Sequence, residues 1–517
     1  MRIVFTTLLI LILISLSSCR KDFDFEPSIG GLAFSKDTVF LDTVFSRISS
    51  STYTLKVFNK TNKDIKIPKI KLKKTNSKYR MIVDGMTGIN GKEFNNVELL
   101  ANDSLYIFIE TTANISDANP TDFLYTDQIQ FGFGTEFQTV ELVTLIQDAY
   151  FIYPNRFNTI YDEVPIGINN DNSIAKIRGR DLIENHSENG NEFIFKNDKP
   201  YVVYGYASVP SGKKLIITAG ARIHFHKDSG LIVQQNATLK VNGTKSLTNR
   251  LENEVIFEGD RLEPFYSDVP GQWGFIYLRN GSKDNEINNL TLKNASIGLL
   301  IAPTQNTTVI KNAQIYDCSN IGVYAQNTSV LGENIVINSA GQVALACTLG
   351  GNYNFKHCTF NNNWNNTKQL SVLVDNFFRN ENEVIIPFDL VQATFSNCII
   401  YGFNQIEILL NKSNLKMFNY QFNNCIIKFN NTSNQYTNNE LYNFTSTNYS
   451  NCLIAKNFSQ FDPKFFNVSK NKLNIDNKSA AFQKGSNSFL VNLDIIGNLR
   501  NIALPDIGAF SNKPFVQ

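Results

Sequence analysis

The residues best suited to chemistry lie close together in "EGDRLEPFYSDVPGQWGFIYLRNGS", Glu258 to Ser282. Asp260, Glu263 and Asp268 are carboxylates able to exchange protons, and Arg261 supplies a fixed positive charge beside them. Tyr266 and Trp273 offer flat faces on which a sugar ring can stack. Loops held on rigid scaffolds often carry function. The same stretch also reads as a structured loop, with Pro270-Gly271 turning the chain and Trp273 covering the edge of a core.

Other chemically capable residues are more scattered. His224 and His226 are two apart on one strand and face the same way. They resemble half a metal site, but no acidic or cysteine partner is visible nearby on the strand, so an exposed strand pair is expected and no metal is assigned. Phe377 and Phe378, followed by Arg379, sit in a long insertion and are candidates for stacking on a ligand. Asp317, Glu333, Asp375 and Asp389 are isolated from one another. Inverting hydrolysis needs two facing carboxylates, and no such set is visible. Nothing resembles a nucleophile elbow or a phosphate-cradling glycine loop.

The cysteines pose a separate question. "SNCII", "NNCII" and "SNCLI" start at Ser396, Asn423 and Ser450. They extend a column that begins earlier, with Asn289, Asn312, Asn334, His357, Asn397, Asn424 and Asn451 each opening a short apolar run. The steps are 23, 22, 23, 40, 27 and 27 residues. Such a period suits stacked coils of short strands. Asparagine tolerates left-handed backbone angles and its amide can bond to the next coil. Cysteine then serves as a small apolar core residue at Cys358, Cys398, Cys425 and Cys452. Zinc knuckles need paired short spacings, which are missing. In-register neighbours also point their side chains in parallel, which is wrong for disulfides.

These groups must be positioned by strands. From 34 to 150 the chain alternates apolar and polar residues, as in "TYTLKVFN" and "SLYIFIETT". That pattern predicts an immunoglobulin-like β-sandwich, without the cysteine pair and core tryptophan of antibody domains. Residues 151–199 read as a connector. Residues 200–460 read as a right-handed parallel β-helix and 461–517 as its C-terminal cap. The expected class is therefore all-β.

The 517 residues carry a net charge of +2, with no basic patch for nucleic acid. The first 18 residues read as a signal peptide, and 19–33 as a tether. Leu16-Ser17-Ser18-Cys19 resembles a bacterial lipobox, which implies lipidation of Cys19 and anchoring in a bilayer. The run after it, "RKDFDFE", resembles the export tag of Bacteroidetes surface lipoproteins. That implies an outer-membrane protein facing outward.

"DPKFFN", "LDIIGNLR" and "PDIGAF" occur in order near the C-terminus. This set resembles the closing segment of secreted bacterial β-helix proteins related to pectate lyases. Asp494, Arg500 and Asp506 are expected to form an ion-pair cluster there. The resemblance raises a lyase hypothesis, in which Ca²⁺ would be held by carboxylates; no other cofactor is called for. The regular coils lack such stacked acids. The expectation is a non-catalytic surface module that binds polysaccharide or another envelope partner. The alternatives are a polysaccharide lyase or glycoside hydrolase with its site near 258–282, and an adhesive spacer.

Overall fold

Each residue of the asparagine column adopts a left-handed backbone, with φ of 47° at Asn289, 52° at Asn312, 51° at Asn334 and His357, 54° at Asn397, 50° at Asn424 and 52° at Asn451. Each thus turns the chain sharply into the next apolar run, as asparagine does most readily among residues with a Cβ. The structure is a computed structural model that describes residues 24–515, apart from 134, 170, 365–367 and 458. Cys19, the signal segment and the start of the tether lie outside the described residues. Among the described residues no helix is long and apolar enough to cross a membrane.

The chain divides into two compact units, 1–148 and 149–517. The first holds a six-stranded sheet and a four-stranded sheet, mostly antiparallel. The six-stranded sheet is built on Ile65–Leu72, Leu124–Phe133, Glu136–Gln147 and Thr38–Phe45. The other sheet is built on Tyr53–Phe58, Ser104–Thr111 and Tyr79–Val83. Alternation in sequence becomes alternation in burial: Ile107 and Ile109 are fully buried while Tyr106 and Phe108 face water. Leu55, Ile107, Ile129 and Leu142 from the two sheets share one core. The Tyr79 hydroxyl, in that core, donates to the Tyr125 carbonyl at 2.8 Å and meets the Thr144 hydroxyl at 2.9 Å.

The second unit holds two long sheets, of 18 and 10 strands, in which parallel pairing dominates. Their register stacks like residues. Leu292, Ile315, Ile337, Phe360, Ile400, Ile427 and Ile454 succeed one another across seven rungs. The neighbouring column runs Leu290, Ala313, Ile335 and continues into the cysteines. Cys358, Cys398 and Cys425 are buried and Cys452 is half-buried, all as free thiols. Each thiol donates to the carbonyl two residues before it, at 3.3 to 3.6 Å. They also approach a carbonyl of the preceding rung, such as Phe395 O at 3.4 Å from Cys425 Sγ. The carbonyls beside the left-handed turn are thereby satisfied by a weak donor that costs little to bury.

The amide ladder is only partly formed. Asn334 Nδ2 donates to Asn312 Oδ1 at 2.9 Å and Asn397 Nδ2 lies 3.0 Å from His357 Nε2. The same amides also reach sideways, to the carbonyls of Leu493 and Ser486. These carbonyls belong to the C-terminal segment, and they reveal its course. Residues 461–515 do not close an end of the stack; they lie along its flank. Asn471 and Val468 meet Asn338, Ala509 meets Thr359, and Lys484 meets Asn424. The expected cap is thus a side cover.

Residues 151–199, read as a connector, supply strands to both long sheets. Tyr150–Ile152 and Ile194–Phe195 join the 18-stranded sheet, and Ile174–Asp181 joins the other. Arg180 and Glu192, both nearly buried, form a two-pronged ion pair at 2.6 and 2.7 Å that fixes this start.

Candidate functional site

The 258–282 excursion leaves the stack after the strand Val255–Gly259 and returns at Trp273–Leu278. It is firmly pinned. Gln272 Nε2 donates to the carbonyls of Tyr266 and Val269, and the buried Asn294 donates to Ser267 and Val269. Its carboxylates do not converge. Asp260 pairs with His226 at 2.7 Å. Glu263 pairs with Arg261 at 3.3 Å, and Arg261 also lies over the Tyr266 ring, 4.0 Å from its centroid. Asp268 pairs with Lys470 of the flanking segment at 3.2 Å. Trp273 is 1% exposed, stacks on Phe225 at 4.3 Å and donates its indole N–H to Lys293 O. It is a core residue and has no face for a ligand, because the strand it opens must bury its first side chain against the rung below.

The histidines differ from expectation. In-register pairing sets His224 beside Glu258, whose carboxylate lies 3.7 Å away and is held by Lys293 at 2.8 Å. His224 is buried, and burial lowers its pKa. His226 is half exposed and packs on Tyr204 at 4.4 Å. Both acids come from the next rung, 34 residues on, which a local reading of sequence misses. Burial would raise the pKa of Glu258, yet His224 and Lys293 hold it below the usual value. Among the described residues no group of three or more His, Cys, Asp or Glu is arranged to hold a metal ion.

The ion-pair cluster expected near the C-terminus takes another form. Asp494 accepts backbone N–H groups from Ile496, Asn498 and Ser511. Asp506 accepts those of Gln483 and Asn512. Arg500 donates to Asn334 Oδ1 and Ala509 O, both at 2.8 Å. Burial lowers its pKa to about 10, while Asp494 and Asp506 oppose that shift through space. The acids shape turns, and the arginine fastens the segment to the stack.

The long insertion forms a hairpin of Phe377–Arg379 and Ile385–Pro387. Phe378 is 41% exposed and stacks with Phe388, ring centroids 6.1 Å apart. Phe388, and not Phe377, lines an open groove of about 440 Å³ with Thr304, Asn327, Thr328, Asn352, Asp389 and Lys416. Hydroxyls step across rungs here: Thr304 meets Thr328 at 3.0 Å, and Thr307 meets Ser329 at 2.9 Å. Asp389 is paired with Lys416 at 3.3 Å. The sequence signal for this groove is the return of threonine and asparagine one rung apart, at 304 and 328, and at 327 and 352.

Compared with known proteins, the chain matches no family model and no curated protein sequence.

Proposed function

We propose that the second unit is a right-handed parallel β-helix, the first an immunoglobulin-like sandwich, and the whole a lipid-anchored surface protein that binds a neutral polysaccharide without transforming it. The groove beside Phe388 carries this reading. It crosses successive rungs, as an extended chain requires, and it is lined by hydroxyls and amides with one aromatic ring at its wall. Such a lining suits sugars, whose rings have an apolar face and a polar rim. Its carboxylate, Asp389, is neutralised by Lys416. Asp260, Glu263 and Asp268 are each engaged by a different basic side chain, which speaks against paired acid–base work there.

A panel of neutral and acidic polysaccharides, assayed for retention and for release of unsaturated or reducing ends, tests the reading. Retention without release is expected, and Phe388→Ala should weaken it about tenfold, the equivalent of about 1.4 kcal/mol. Release of product abolished by Asp260→Asn or Glu263→Gln would establish the enzyme instead. Neither retention nor release would leave the spacer. For the anchor, palmitate labelling lost in Cys19→Ser and protease shaving of intact cells are the corresponding tests.

A further inference from the structure

The flanking C-terminal segment does not lie flat on the stack everywhere. Where it passes the loop 245–254 it leaves a cleft in two chambers, of about 490 and 380 Å³, which share Asn249, Leu251, Ile496 and Lys513 as walls. These are volumes of the size that small ligands occupy. Lys245 closes one lip by donating to Gly497 O at 3.1 Å.

Three features of the cleft point to one ligand chemistry. First, its larger chamber is walled by apolar groups. Phe466 and Phe515 pack at 4.9 Å, with Phe510, Pro514 and Leu251 beside them. Second, Lys472 and Lys513 line the same chamber, and among the described residues neither has a carboxylate within ion-pair distance. Lys472 leans over the Phe466 ring, 5.7 Å from its centroid. Third, the floor is a closed polar chain. The Tyr316 hydroxyl donates to Gln314 Oε1 at 2.9 Å, and Gln314 Nε2 and the Thr291 hydroxyl donate to Glu254 Oε2 at 3.2 and 2.7 Å. Glu254 is 5% exposed, and its Oε2 is engaged by both donors, so this acid is turned into the floor and away from the chamber of Lys472 and Phe466. Arg222, which lies nearby, spends its guanidinium on the carbonyls of Gly220, Leu251 and Glu254 and does not balance a ligand.

We infer that this cleft binds an amphipathic carboxylate: an apolar ring or chain held against Phe466 and Phe515, with one carboxylate set between Lys472 and Lys513. The chemistry is shared by a free aromatic or aliphatic acid and by the C-terminus of a peptide ending in an apolar residue. The site is separate from the Phe388 groove in residues and in ligand class, so either can fail without the other.

Calorimetric titration of the intact protein tests the inference. The probes are 3-phenylpropionate, its uncharged amide, and a hexapeptide ending in Phe with a free or an amidated C-terminus. The carboxylate forms should bind at least tenfold more tightly than the matching amides. Lys472→Met with Lys513→Met should abolish that preference, and Phe515→Ala should weaken both forms. Saturation by phenylpropionate supports a free acid as the occupant; saturation by the free-ended peptide alone supports a chain terminus. Equal binding of acid and amide, or no heat with any probe at millimolar concentration, overturns the inference. Melting temperatures within a few degrees of the parent confirm that the variants are folded. Retention of polysaccharide should be unchanged in them.

Discussion

The two units use apolar residues by different rules. In the first, a strand such as Tyr79–Val83 alternates strictly, its second and fourth residues exposed. The longer strands have one dry face, and apart from the hairpin of Leu124–Phe133 and Glu136–Gln147 most pair with strands far away in sequence, as Tyr53–Phe58 does with Ser104–Thr111. In the second, the strands at Thr359–Asn362 and Ile426–Lys428 are buried at every position. Their inner side chains meet the stacked core. Outward side chains of this sheet meet the flanking segment: Val336 packs with Ile495 and Phe510, while Ile399 and Ile426 pack with Ile475, Ala481 and Ile507. The outward column therefore changes along the stack. It holds Thr291 and Gln314 near the cleft floor and then runs Val336, Thr359 and Ile399, where the segment lies against it and Ala509 N–H donates to the Thr359 hydroxyl. Consecutive apolar letters mark a sheet covered on both faces.

That contrast can be broken in stages. Ile315→Asp should have the largest effect. It places an unpaired charge in the stacked core, at a cost beyond about 4 kcal/mol, and should unfold the second unit. Ile107→Asp should do the same to the first unit alone; a single shared transition in calorimetry would count against two separate cores. Ile399→Ala removes an outward side chain and should still cost about 2–5 kcal/mol, because the segment makes that face a second core. A cost near zero in urea unfolding would show that the segment does not cover it. Gly508→Val comes next, at roughly 1–3 kcal/mol. Gly508 has φ of +97°, and a Cβ there would meet Ile399 Cδ1 at 2.7 Å and Thr359 Oγ1 at 2.9 Å.

A further test concerns pH. Glu407 is buried, accepts from the Asn404 backbone at 2.6 Å and the Ser371 hydroxyl at 2.8 Å, and has its pKa raised to about 8 by burial. The unfolded chain releases that proton near the ordinary value of 4.5, whereas the folded chain keeps it up to about 8. Between those values the native state binds more protons, so its stability falls as pH rises and levels off above. Glu407→Gln should flatten this part of the melting-temperature profile; an unchanged slope would place the titration elsewhere.

Much of this was legible in the letters. Alternation located the strands of the first unit nearly to the residue, as at Tyr53–Phe58 and Ser104–Thr111. The spacing of asparagines set the register of the second, since a left-handed turn before each rung restricts the residue type locally. The cysteine column followed from the same register. The candidate site was less legible. Trp273 read both as a ligand platform and as the cover of a core edge, and its packing on Phe225 decides for the second.

Sequence alone determined the features that depend on a residue and its immediate neighbours: the turns, the strands, the alternating faces and the repeat. Tertiary structure decided what meets across rungs and along the flank. His224 found Glu258, Asp268 found Lys470, and a segment expected at one end of the stack covers its side. The reason is physical. Local backbone preference acts through adjacent atoms, whereas a salt bridge or a buried outer face depends on distances that only the closed chain sets.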